Sequence, residues 1–158
     1  MHPQSNNIGA YFTSKLALDP TNFGAGYGNI SQQNGNSFDR DGTRPQLHSG
    51  KYQFGVKYTL ASGHTASFVY GMQDSADDST FADIAGASGV TSLTALNAGT
   101  AQRAVMELDV DLTGVRRYVR PRLTPVMSHS GTDVISLAGV LALGGGSDVP
   151  PVLGTVTP

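Results

Sequence analysis

The sequence predicts an all-β chain: an antiparallel β-sandwich or jelly roll with an extended N-terminal arm and a Pro-rich C-terminal tail. Three observations carry this expectation. Short runs alternate apolar and polar residues with a period of two, the signature of strands with one buried and one wet face. Turn residues separate the runs, and 20 glycines and 8 prolines in 158 residues leave little room for long helices. About eight or nine such runs follow one another, as sandwiches and jelly rolls require.

The length favours a single domain with a real core. Residues 1–50 read as an extended arm and loop segment, with one strand at 10–18. Residues 51–145 read as the sandwich core, and 146–158 as an extended tail. Hydrophobic residues make up 39% and charged residues only 14%, so the outer surface must be largely Ser, Thr, Asn, Gln and Gly. A net charge of −2 argues against a dedicated nucleic-acid binder. Cysteine is absent, which removes disulfides and thiolate metal sites. The first residues are polar, so no signal peptide is expected. No apolar run approaches the ~20 residues of a membrane-spanning helix, so no membrane association is expected.

Taken in order, residues 1–8 form a polar arm. Ala10 to Leu18 alternates loosely, with Phe12, Leu16 and Leu18 on one side, and Asp19-Pro20 is expected to end that strand. Thr21 to Gly50 shows no periodicity, and long stretches of this kind tend to be binding loops or partner-ordered arms. Within it Asn34-Gly35 signals a turn, and Ser37 to Asp39 a short strand. Lys51 to Leu60 is the clearest strand. The turn Ala61 to His64 leads to a second at Ala66 to Gln73, and the two are expected to pair as a hairpin. Asp74 to Thr80 is an acidic loop, Phe81 to Ile84 is short and extended, and Gly86 to Gly99 is small and polar. Val134 to Leu143 is apolar on both faces, which predicts the most buried strand or one packed on a partner.

Met106 to Pro125 is the most informative stretch. Met106, Leu108, Val110 and Leu112 alternate with Glu107, Asp109 and Asp111. After Thr113-Gly114, Val115, Val119 and Leu123 mark one face, and Arg116, Tyr118, Arg120 and Arg122 the other. A hairpin would set Asp111 against Arg116 and Glu107 against Arg120, a favourable cross-strand arrangement. It would also turn Arg117 inward, opposite Val110. The rival is a corner at which the chain crosses to a second sheet.

Candidate chemistry is sparse. His2, His48, His64 and His129 lie in loops or the arm without metal-ligand spacing, so no metal site is expected. Asp74, Asp77 and Asp78 lack the ligand order and closing Glu of an EF-hand. Gly24, Gly26 and Gly28 have neither the preceding strand nor the following helix of a dinucleotide loop. No G-x-S-x-G elbow orders a triad, and Glu107, Asp109 and Asp111 share one strand face opposite arginines. No enzyme and no cofactor are expected. The four arginines at 116, 117, 120 and 122 suggest phosphate binding when read alone, but a face neutralised by neighbouring acids is the simpler reading. A carbohydrate-binding module is the alternative from another class, although such modules favour Trp and this chain has none.

Four segments carry a resemblance: Asn34 to Arg40 (NGNSFDR), Gly71 to Ile84 (GMQDSADDSTFADI), Leu108 to Pro125, and Val140 to Gly145 (VLALGG). Together they resemble small structural proteins of tailed bacteriophages, the head decoration or cement proteins. The resemblance implies a jelly roll or β-sandwich on the outer capsid surface of a virion. It implies contacts with the major capsid protein and sister copies, as a homo-oligomer on the shell. A tail or neck component is similar enough to stand beside it. No binding residue comes with the resemblance, because its motifs read as fold determinants. The physical candidates for partner contact are Phe23, Tyr27 and Phe38, aromatics isolated in polar, Gly-rich sequence whose burial needs a docking surface.

Overall fold

A computed structural model describes residues 12–24, 30–41, 47–129 and 131–145. They form nine strands: β1 (Phe12–Phe23), β2 (Gln33–Asn34), β3 (Phe38–Asp39), β4 (Ser49–Thr59), β5 (Thr65–Ser75), β6 (Ala82–Thr94), β7 (Gln102–Asp111), β8 (Tyr118–Met127) and β9 (Val134–Gly144). One sheet has four strands in the order β1-β9-β4-β7. The other has the order β2-β8-β5-β6, with β3 also paired to β8. All pairings are antiparallel. Among the described strands, β5 and β6 are the one pair of long consecutive strands that also lie side by side. The other long strands hand the chain to the opposite sheet. This is jelly-roll topology, two sheets sharing one core, as the sequence predicts.

The inner faces supply that core. Tyr52, Phe54, Val56 and Tyr58 on β4 face Phe68, Tyr70 and Met72 on β5, with Val119 and Leu123 from β8 and Ile135, Leu137 and Leu141 from β9. Phe54 meets Tyr70 edge-on at 5.0 Å between ring centroids and tilts against Phe68 at 6.2 Å. Aromatic pairs favour such offset geometries, adding roughly 0.5–1.5 kcal/mol to area burial. Val110 is buried as expected, whereas Leu108, on the same edge strand β7, is only half-buried.

Two expected hairpins are sheet crossings. β4 pairs with β7 and β9, and β5 with β6 and β8, so Ala61 to His64 bridges the sandwich. Likewise β7 and β8 belong to different sheets, and Thr113-Gly114 is a corner. Gly114 takes φ +74°, and Asp111 Oδ1 accepts from the Thr113 N–H at 2.8 Å. The physical reason is common to both errors. Alternation fixes which face is inward, but a strand across the sandwich and a strand alongside satisfy it equally.

Three further expectations are corrected. β1 does not stop at Asp19-Pro20 but continues to Phe23 along β9, with register shifts between Leu16 and Leu18 and between Leu18 and Thr21. Pro20 is tolerated because β1 is an edge strand. The first shift leaves Leu16 half exposed and buries both Ala17 and Leu18. Residues 82–94, read as a short strand and a polar run, are one strand with an irregularity at Gly86, φ +78°. β9 is central in its sheet yet open on its outer side, where Val134 and Val140 are exposed; β5 is the more buried strand. The expected tail 146–158 and the arm 1–8 lie outside the described residues.

Candidate functional site

Three of the four segments that carry the sequence resemblance converge on one corner of the molecule, while Val140 to Gly145 lies at the end of β9 in the other sheet. β3 and β8 bring NGNSFDR beside the arginine run, and β5 brings in QDS from the other flank. β6 adds Asp83 through its pairing with Gln73.

Each arginine of the run has its own partner. Arg116 binds Asp74 through Nε at 2.8 Å, Nη2 at 2.6 Å and its backbone N–H at 3.0 Å. Arg117 forms a two-point fork on Asp39, 2.8 and 2.6 Å, and its guanidinium lies over the Tyr118 ring. Arg120 donates to Gln73 at 3.0 Å and stacks on Phe81, 3.8 Å from the ring centroid. Arg122 forks onto Asp83 at 2.8 and 2.9 Å, and Gln73 donates to the same carboxylate at 2.9 Å. Paired guanidinium–carboxylate forks fix geometry as well as charge. The hydrogen bond from Gln73, reinforced by Arg122, holds the Asp83 carboxyl below its ordinary range. The fork from Asp39 raises Arg117 further above its ordinary range.

The expected cross-strand pairs are therefore replaced. Glu107 does not meet Arg120; it accepts from Gln53 and from Lys51, and Lys51 also reaches Asp109 at 2.8 Å. Asp111 does not meet Arg116 but caps the corner at Thr113. Three of the four arginines are matched by acids, from β3, β5 and β6 in place of β7, while Arg120 meets the neutral Gln73. Arg117, the residue that fitted the hairpin worst, is the one the corner turns outward onto Asp39.

Arg40 was not singled out by the sequence, because an arginine in a polar loop reads as solvated. It is 2% exposed. Its Nη2 donates to the carbonyls of Leu112 at 2.7 Å and Leu47 at 3.1 Å, and its Nη1 to those of Val115 and Arg116. Among the described residues it thus ties the β7–β8 corner together through four backbone carbonyls. Burial lowers its pKa. Gly35, expected in a turn, is instead a point of close approach. Its N–H donates to Pro121 and that of Asn36 to Ala17, both at 2.8 Å, which ties β8 of one sheet to β1 of the other.

The acidic loop turns on Asp77, whose carboxylate accepts from Ser75 and from the N–H groups of Ser79 and Thr80. Those backbone donors drive its pKa well below the usual carboxylate range. Asp74, Asp77 and Asp78 do not converge. At the opposite end of the sheet His64 Nδ1 lies 3.0 Å from both oxygens of the buried Asp133, and the His129 ring stacks on it at 3.9 Å. Among the described residues no three metal-ligating side chains gather at one point.

Of the aromatics named for partner contact, Phe23 is buried in the chain's own core, where it pairs with Ile135. Phe38 is half-buried against that core on β3. Tyr27 lies outside the described residues. The arrangement as a whole is a rigid, charge-matched polar corner.

No family model matches the sequence, and no curated protein does. Solved structures do. A chain of the T13 particle of infectious bursal disease virus superposes with a TM-score of 0.50 at 14% identity, over 89% of this chain and 32% of that one. The protein of the Gx strain of the same virus gives 0.49 at 14%, over 89% and 33%. The PBSX exported protein XepA gives 0.46 at 15%, over 92% and 41%. The chain spans about a third of the length of the viral proteins it matches. At these identities the likeness is one of fold: an all-β sandwich of the kind found in a viral particle.

Proposed function

We propose that the protein is a virion structural protein that decorates and cements a bacteriophage capsid by bridging major capsid protein subunits on its outer surface. The observation that carries this reading is the convergence of three of the four resemblance segments on one charge-matched corner, Asp39, Asp74 and Asp83 against Arg117, Arg116 and Arg122. Motifs that meet in space to brace a crossover between sheets fit a rigid particle component. The jelly roll itself is compatible, because viral capsid domains use it.

In this reading Tyr27 and Phe38 supply contact with the shell. Phe23, spent in the core, holds β1 in place and acts only through the fold. The first test is mass spectrometry of virions purified from the source that encodes the chain. Absence of the protein from particles would overturn the reading. The second is occupancy on particles across a dilution series. Tyr27→Ala with Phe38→Ala should lower occupancy about tenfold or more, because aromatic anchors dominate interface energies. Unchanged occupancy would move the contact elsewhere.

A further inference from the structure

The outer face of the four-stranded sheet changes character along its strands. At one end Lys57 and Arg103 are cross-strand partners, both exposed, and neither forms an ion pair among the described residues. Like charges set directly opposite each other disfavour the strand pair unless something neutralises them. In the middle Gly55 pairs with Val105 on one side and Ala138 on the other, and a Cβ built on Gly55 would meet nothing. The result is a shallow apolar groove of about 380 Å³. Val105 beside it is 69% exposed. At the far end Glu107 and Asp109 share Lys51, which leaves a surplus of negative charge, and the exposed Asp111 adds to it.

We propose that this face binds a second copy of the chain, turned end for end about a twofold axis that runs across the strands near Gly55 and Val105. The charges decide the orientation. An axis along the strands would set the Lys57–Arg103 end of one copy on that of the other. An axis across them lays that end over the acidic end of the partner, and symmetry makes the contact twice. The register fits. Arg103 and Glu107 lie equally far to either side of Val105 on β7, so Arg103 comes over the partner's Glu107. Lys57 and Gln53 flank Gly55 in the same way, so Lys57 comes over the partner's Gln53, which is bonded to that same glutamate. Gly55 and Ala138 keep the surface low at the axis, which lets the two sheets approach and takes Val105 out of water. Four strands about 4.8 Å apart, running from Ser49 to Lys57 at about 3.3 Å per residue, cover roughly 19 by 30 Å. Two such faces bury roughly 1,100 Å², which belongs with weak, reversible associations.

The test is sedimentation velocity of the full chain across a series from micromolar to millimolar. The parent should pass from monomer to dimer within it. Lys57→Glu with Arg103→Glu makes both ends acidic and should raise the dissociation constant at least about tenfold, because juxtaposed like charges suppress association. Glu107→Lys with Asp109→Lys makes both ends basic and should do the same. An equimolar mixture of the two variants should associate again, since each end then meets its opposite. All four side chains are exposed, so the fold should hold, and a thermal melt checks it. Should the second variant melt early, Val105→Asp replaces it, its side chain being exposed already, and it should also dimerise at least about tenfold more weakly than the parent. A parent that stays monomeric throughout would overturn the proposal. So would a Lys57→Glu, Arg103→Glu variant that dimerises like the parent, or folded variants that fail to associate when mixed.

Discussion

The guanidinium of Arg40 donates to the carbonyl of Leu112 at 2.7 Å, and through that bond a residue of the β3–β4 connection fixes the point at which the chain leaves one sheet for the other. Arg40 is almost fully enclosed and also binds the carbonyls of Leu47, Val115 and Arg116. Removing it takes the guanidinium from all four carbonyls, of which Leu112 keeps the Val115 N–H at 3.2 Å, and a buried acceptor left unpaired costs about 1–3 kcal/mol. Arg40→Met should therefore lower stability by roughly 3 kcal/mol or more in denaturant melts. Arg40→Lys should recover little, because an ammonium cannot span carbonyls set out for a planar fork. A loss below about 1 kcal/mol for Met would mean that the corner holds without it.

Gly35 gives a sharper expectation. A Cβ there would stand 2.0 Å from the Ala17 carbonyl oxygen and 2.6 Å from Pro121 Cγ. One obstacle is backbone and the other a ring, so neither can swing aside. Gly35→Ala must push β1 away from β8 and break the paired bonds at Pro121 and Ala17. Overpacking of this kind costs roughly 1–3 kcal/mol, occasionally more. The melt of Gly35→Ala, compared with Gly24→Ala, where a Cβ would meet nothing, isolates the effect. Equal melts would remove close approach as the reason for glycine.

The strands were legible in the sequence, and their partners were not. Tyr52, Phe54, Val56 and Tyr58 declared an inward face by alternation alone, and all four are buried. Nothing in that pattern says that Phe68 lies across the core from Phe54 rather than beside it. The turn residues misled in the same way: Thr113-Gly114 and Ala61 to His64 bend the chain, but the direction of the bend depends on contacts made elsewhere. Arg117 was the usable warning, a charge that a hairpin would have aimed at Val110. The site was half legible. The motif letters Asp39, Asp74 and Asp83 stood in the sequence, but their arginine partners lie 39 to 78 residues away. Arg40 left no signal, since burial of an arginine depends on carbonyls that only the fold brings together.

Tyr52 presents a buried hydroxyl with no hydrogen-bond partner among the described residues, and burial raises its pKa. Its ring fits against Gly139, where a Cβ would come within 2.9 Å of it. Removing the hydroxyl keeps the ring contact with Phe54, 5.4 Å between centroids, and ends the desolvation penalty. Tyr52→Phe should be neutral or stabilising by about 1 kcal/mol. A clear loss of stability would reveal a partner for the hydroxyl.

Acid should weaken the fold. Asp77, held by backbone N–H groups, Asp83, held by Gln73 and Arg122, Glu107, held by Gln53 and Lys51, and Asp111, held at Thr113, all have lowered pKa values. Each therefore favours the folded state while ionised. The contribution is complete above the unfolded values, 3.8 for Asp and 4.5 for Glu, and is lost as pH falls through the lower folded ones. Urea midpoints should change little through these groups between about pH 7 and pH 5, and drop by about pH 3. An unchanged midpoint at the lowest pH would show that the four bonds do not persist in solution.

The charge-matched corner makes the last expectation. Four arginines on one strand and its approach would attract phosphate if their acids were removed, since each free cation adds to a salt-dependent attraction for nucleic acid. Asp74→Asn with Asp83→Asn releases Arg116 and Arg122 while keeping side-chain size and some hydrogen bonding. That variant should gain binding to duplex DNA that fades as salt rises. Glu107→Gln with Asp111→Asn should gain none, because those acids face Lys51 and the Thr113 corner, away from the arginines. The two variants differ equally from the parent in net charge, so a non-local charge effect predicts equal binding and the local geometry predicts a difference. Fluorescence anisotropy of a labelled duplex across a salt series separates them. Tight binding by the parent at physiological salt would show that the arginines are a working site, and the acids beside them only its frame.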